Sequence, residues 1–410
     1  MERGKPLGKV ISKEEFTLKL EKRAQRFFKV GNLILKKRYF SQNYYSNLEN
    51  EAHILETFLD DHKARGNKTF AFFTELVACI RWIARTAHTL KHIQNRYKSY
   101  GVEKDGKLLT DIKNSLEFCN SSISNLYKAL KEEALSIGIK VPSSYLNEED
   151  FMEAEIQEYL VQDIDEDYCC LYQEEKVIEV TFAYVDVADR LAQLLKEEEP
   201  TEDKIEELSS AFHRIQSKYD SYISGSKEEK EDKRLKKMRG YTSVCLHLLE
   251  AALYMLHFYE RHIKADGLSG LKEKISRIVS PSEVRENIKV ILNHANGYAL
   301  EGEFLARELL KDYADMTLAR ERVIIPKGSV LHLRPASALV EPVIHSTAPV
   351  LLEIDGKKVR ANSVLEIIAV MGEVADKLEK SDVEMVLQGD KEIVRKMKEN
   401  FLTKIVETKY

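Results

Sequence analysis

A chain of 410 residues is too long for one small core and predicts two or three domains, each able to bury its own interior. Its net charge of −5 implies neither a basic nucleic-acid surface nor an acidic tail, so no nucleic-acid partner is expected. The opening segment MERGKPLGKVISKEEF lacks the apolar core of a signal peptide, and no apolar run approaches the roughly 20 residues needed to cross a bilayer. The expectation is a cytoplasmic protein with no membrane partner.

Along the first 320 residues apolar side chains recur at helical spacing, as in FTELVACIRWIARTAHTLKHIQNRY and VCLHLLEAALYMLHFYERHI, and the region reads as all-α. Glycines near Gly101, Gly225 and Gly267 stand where helices are expected to end, and SPSEVRE reads as a helix start capped by Ser280 or Ser282. A faint similarity between residues 52–101 and 211–267 divides this region into two helical bundles, 1–145 and 146–320, the second a weak repeat of the first. The acidic run at 147–168 and the mixed-charge run at 226–240 read as solvated surface. The five cysteines, Cys79, Cys119, Cys169, Cys170 and Cys245, form no Cys-x-x-Cys pair and read as reduced core thiols.

His88 and His92 lie four apart on one helix face, a spacing that can bind a metal. No glutamate sits between them in the zinc-protease manner, and no paired Glu-x-x-His set is present, so both read as polar helix-face residues. No metal and no cofactor is expected. With glycine-rich phosphate loops also missing, the helical region reads as a module that binds a protein partner.

Near Arg320 the pattern changes. Four of the eight prolines crowd into the last 90 residues, and RVIIP, PVLLEID and DVEMVLQG read as strands, with Asp355-Gly356 as a hairpin turn. Helical periods follow in NSVLEIIAVMGEVADKLEKS and DKEIVRKMKENFLTKI. With a helix opening at Pro335, the order over 321–410 is β-α-β-β-α-β-α, an α+β sandwich of one antiparallel sheet carrying helices on one face. Pro342 should kink or shorten the first of these helices.

In VLHLRPAS, Val330–Ser337, proline marks a helix N-terminus and His332 comes just before it. Free backbone N–H groups and the positive dipole end favour an anion there, and Arg334 adds a planar guanidinium shaped for phosphate oxygens. A neutral imidazole can attack phosphorus, so His332 reads as a phosphoryl acceptor, with Arg334 and the helix start at Leu333 and Pro335 as the clamp. A capping or surface histidine beside an unrelated arginine is the other reading of the same residues.

LHLRPAS, followed 31 residues after the histidine by Ser363-Val364-Leu365, resembles the histidine-containing phosphocarrier protein (HPr) family of the bacterial phosphotransferase system. The likeness covers roughly residues 321–404, and the family's open-faced sandwich has the element order read above. The resemblance implies that His332 is phosphorylated by enzyme I, that Arg334 binds the phosphate, that Pro335 and Ala336 open the helix, and that Ser363 is a regulatory serine addressed by a kinase. After Ser363 the chain carries about five more residues than the family usually does, implying a longer second helix or an expanded loop. The expected function is a phosphocarrier relaying phosphate from an enzyme I-like donor to an acceptor protein that the sequence does not name. A regulatory protein sensing phosphotransferase state, or an HPr-like module without transfer, are the alternatives.

Overall fold

The structure is a computed structural model that describes residues 9–37, 39–102, 106–146, 173–197, 200–264, 270–329, 333–344 and 350–407. Ten α-helices precede the sheet among the described residues: α1 (Lys13–Asn32), α2 (Gln42–Asp61), α3 (Ala71–Arg96), α4 (Lys107–Ser136), α5 (Gln173–Glu197), α6 (Glu202–Tyr222), α7 (Lys227–Glu231), α8 (Lys233–Phe258), α9 (Gly270–Ile278) and α10 (Pro281–Thr317). Their ends follow local chemistry. The hydroxyls of Ser12, Ser41 and Ser280 accept N–H groups of Glu15, Tyr44 and Glu283, each satisfying one donor that the first turn leaves unpaired. Gly101 and Gly225 adopt left-handed φ values of 66° and 77° past helix ends, where a Cβ is penalised. Gly267 lies outside the described residues, as do Cys169, Cys170 and the acidic run at 147–168. Cys79, Cys119 and Cys245 are buried and free, as expected of core thiols.

The chain forms two compact units. One comprises Met1–Gln162, Leu191–His213 and Gly240–Ala299, and the other Asp163–Arg190, Arg214–Arg239 and Leu300–Tyr410. In the first unit α3 packs with α2 and α4 around an aromatic interior that includes Phe27, Phe28, Phe73 and Tyr127. The Tyr127 hydroxyl, fully buried, donates to the Phe28 carbonyl at 2.7 Å, and Gly31 leaves room for its ring, which any Cβ there would overlap. Gly240 on α8 likewise lies against the Tyr100 backbone carbonyl, a close approach that a side chain would forbid. At its C-terminal end α8 widens into a π-helical turn, Tyr259–Ile263.

In the second unit the last residue of α10 is followed at once by β1 (Leu318–Ile325). Then come α11 (Leu333–Ile344), β2 (Leu351–Ile354), β3 (Lys357–Arg360), α12 (Val364–Glu373), α13 (Ala375–Leu378), β4 (Val383–Asp390) and α14 (Lys391–Glu407). The sheet is antiparallel throughout, in the order β1-β4-β2-β3. A helical region plus a small α+β region is therefore the architecture. Val323 and Ile325 of β1, Leu352 and Ile354 of β2, and Val383, Met385 and Leu387 of β4 fall on alternate positions, so one face of each strand joins a single apolar cluster with α11, α12 and α14. Asp355 and Gly356 link β2 to β3 with φ of 50° and 82°, the paired left-handed residues of a type I′ hairpin.

Three local features refine the sequence expectation. β1 starts at Leu318 rather than within RVIIP because its ladder to β4 runs through all eight residues, Leu318↔Asp390 to Ile325↔Val383. Pro342 cannot donate to the Ala338 carbonyl, and α11 ends two residues later. The long segment after Ser363 is neither one long helix nor an open loop: Val374, at φ −97° and ψ 1°, separates α12 from α13.

Candidate functional site

The first residue of α11 is Leu333, and Arg334 and Pro335 follow in the opening turn, where proline's missing N–H has no intrahelical partner to lose. His332 itself lies outside the described residues. Pro335 and Ala336 are buried, and Ala336 belongs to the cluster beneath the sheet, so the start of α11 is anchored from below by apolar packing. Ser363 is half-buried at the N-cap of α12, its hydroxyl accepting the Glu366 N–H at 3.3 Å. The serine thus has a structural task at a helix start, where the dipole also favours added negative charge.

The first unit holds a cavity of about 340 Å³ lined by Glu49, Arg85, His88, Thr89, His92, His247, Glu250 and Tyr254. The α3 spacing brings His88 and His92 to it, and α8 supplies His247 and Glu250 from the far side of the sequence. The Gln42 side-chain amide nitrogen approaches His88 Nε2 at 3.2 Å and His92 Nδ1 at 3.3 Å. An amide nitrogen only donates, so both ring nitrogens accept and both rings are neutral in this arrangement. Burial, ahead of the neighbouring His247, His88 and Arg96, pushes the His92 pKa down to about 4, and burial also lowers His88. His247 donates from Nδ1 to Glu250 at 2.8 Å, while its ring meets His92 edge-on with centroids 4.7 Å apart. Arg85 pairs with Glu49 at 3.5 Å and lies over the Tyr254 ring at 4.2 Å. Two carboxylates against one guanidinium leave the wall net negative, which suits a small polar or cationic molecule better than an anion.

Deeper in the same unit, Glu75, Cys79 and His262 are 5%, 0% and 5% exposed. His262 donates from Nδ1 to Glu75 at 2.6 Å, and Arg65 donates to the other carboxylate oxygen at 2.8 Å. Burial works to raise the Glu75 carboxyl, but the bond and charge of His262, with Arg65, outweigh it and hold the group below its ordinary range. Burial, reinforced by the Glu75 charge, drives the Cys79 thiol well above its ordinary value. Sequence reasoning named Cys79 only as a core thiol and did not single out Glu75 or His262. Glu75 and Cys79 share an α3 face at i and i+4, but their histidine lies 187 residues from Glu75. No family model matches the chain, and neither a curated protein nor a solved structure matches it.

Proposed function

We propose that residues 321–410 form a phosphoryl-carrier domain of the HPr kind, in which a ring nitrogen of His332 bonds to phosphorus as the donor's own bond to that phosphorus breaks. The donor is an enzyme I-like protein, and the acceptor is a second protein. The observation that carries the reading is the element order β-α-β-β-α-α-β-α, the expected order with its second helix split at Val374, and a first helix that runs from Leu333. That position aligns free N–H groups and the dipole with an incoming phosphate, and Arg334 follows in the same turn. Ser363, at the head of α12, supports the second part of the resemblance, a regulatory serine reached by a kinase.

Incubation of the full chain with enzyme I and phosphoenolpyruvate, followed by intact-mass analysis, tests the proposal. One acid-labile, alkali-stable phosphate per chain is expected. His332→Ala should remove it entirely, and Arg334→Ala should slow transfer about 100-fold, the typical loss for one oriented donor at developing charge. Undiminished labelling of His332→Ala overturns the assignment. A phosphate on Ser363 would add about −1.5 to −2 charge. Ser363→Asp is therefore expected to weaken donor binding relative to Ser363→Ala, and equal binding by the two removes the regulatory role.

A further inference from the structure

We propose that a second cavity of the helical unit binds a small amphipathic anion, an apolar body carrying one carboxylate or phosphate headgroup. The cavity measures about 280 Å³, and every residue that lines it belongs to the first unit. At about 30 Å³ for each water-sized group it holds roughly nine of them, enough for a short alkyl chain or one aromatic ring. Leu195 of α5, Leu256 of α8, and Ile288 and Leu292 of α10 give it apolar surface. Lys264, Arg285 and Lys289 line it as exposed cations, and Glu260 is the one carboxylate in the lining.

Three observations select the ligand. On α10, Arg285, Ile288, Lys289 and Leu292 recur at i, i+3, i+4 and i+7, so one helix face offers cationic and apolar groups together. A purely apolar molecule would leave the cations unused and an inorganic anion would leave the apolar surface uncovered, so the wall calls for a ligand with both parts. Second, the charge is available. None of the three cationic side chains has an ion-pair or hydrogen-bond partner among the described residues. Glu260 does not neutralise them, because its Oε1 accepts the N–H of Glu202 at 3.2 Å, at the first residue of α6, where the dipole holds the carboxylate. The wall therefore carries an excess of positive charge, the reverse of the histidine cavity. Arginine's planar fork matches two oxygens of a carboxylate or phosphate, and the lysines add charge beside it. Third, the π-helical turn Tyr259–Ile263 supplies Tyr259 and Glu260 to the lining and is followed at once by Lys264, and such turns recur at functional sites. Lys272 on α9 donates from Nζ to the carbonyls of Glu260 and Lys264 at 3.3 and 3.0 Å, which holds the irregular turn in place. The inference concerns the helical unit and does not depend on the phosphocarrier reading.

Isothermal titration of the full chain with octanoate and with octyl phosphate, both below micelle-forming concentrations, tests the site. Saturable binding of one molecule per chain is expected, and the tighter of the two identifies the headgroup. Octanol, octylammonium and inorganic phosphate should each bind about 10-fold more weakly or worse, since each lacks either the charge-assisted bonds or the apolar body. Added salt should weaken the anion, because the cations are exposed and screened. The Arg285→Gln/Lys289→Gln double variant, at two exposed positions, should weaken binding about 10-fold. Leu195→Trp, at a half-buried position, fills the apolar end and should abolish binding, whereas His92→Gln, in the other cavity, should leave it unchanged. If Leu195→Trp does not fold, the double variant decides. Equal binding of octanol or octylammonium, no saturation at one per chain with either anion, or full affinity in the double variant overturns the site.

Discussion

The two regions of the chain bury different chemistry. Around the sheet, the cluster from Val323 to Phe401 is apolar throughout. Every buried polar or charged side chain among the described residues instead lies at or before His262, and four of them are glutamates: Glu51, Glu56, Glu75 and Glu179. Each has a cationic partner, Arg26 for Glu51, Arg81 and Arg65 for Glu56, Arg65 for Glu75, and Lys176 and Lys218 for Glu179. An apolar cluster asks of a residue only its volume and direction, and it tolerates replacement by similar shapes. A buried carboxylate asks for one particular partner and is expensive without it. The helical region therefore holds its specificity in pairs of residues, and the sheet region holds it in patterning.

Substitutions can break this contrast from either side. The largest loss is expected from Phe401→Ala, which empties a fully buried ring position on α14 and should cost about 4 kcal/mol, read as faster hydrogen exchange of the β4 amides. Phe401→Leu should restore most of it, since shape is what the site requires. In the helical region Arg81→Met keeps the bulk and removes the charge. It should cost about 3 kcal/mol, the low end for an uncompensated buried charge, because Arg65 remains 3.7 Å from Glu56. If the methionine variant is as stable as wild type in denaturant titration, buried pairing does not govern this region.

Acidity sharpens the contrast further. His92 has its folded pKa lowered to about 4 from an ordinary 6.5, so between these values the unfolded chain binds more protons at this site than the folded one. His92 thus costs nothing above pH 6.5 and lowers stability as the pH falls from there to 4. The groups around the ring are His88, His247, Arg96 and Glu250, and the first three oppose protonation. At pH 5 the effect should be roughly 1 kcal/mol after discounting for solvent screening of a half-buried ring. Comparing melting temperatures of wild type and His92→Gln at pH 7 and pH 5 checks it, with the variant losing less on acidification. Smallest is Ser363→Ala, which removes one cap bond of 3.3 Å and should cost about 0.5 kcal/mol of local stability at α12.

The same contrast explains what could be read in advance. The Asp355-Gly356 hairpin, the helix start at Ser280 and the stops at Gly101 and Gly225 all depend on residues within a few positions of one another, and the alternation in VEMVL announces its own buried face. The break at Val374 was not legible, because its neighbours keep a helical period on both sides. The histidine cavity needs α3 to meet α8, and Glu75 needs a partner 187 residues away, so the spacing within either segment does not disclose the assembly. His88 and His92 were visible as a pair, but their shared partner Gln42 was not. The motif behind the proposed phosphoryl site is visible for the opposite reason, since His332, Arg334 and Pro335 fall within four residues of sequence.

Among the described residues a sheet ordered β1-β4-β2-β3 has two edge strands, and backbone groups along such edges invite pairing with the next molecule. On one flank β3 is only four residues long and carries Lys357, Lys358 and Arg360. On the other, β1 is longer and sets Arg320, Glu321 and Arg322 along its length. Charge and brevity at these margins discourage strand-to-strand self-association, so the sheet is guarded against growing by edge pairing into an aggregate.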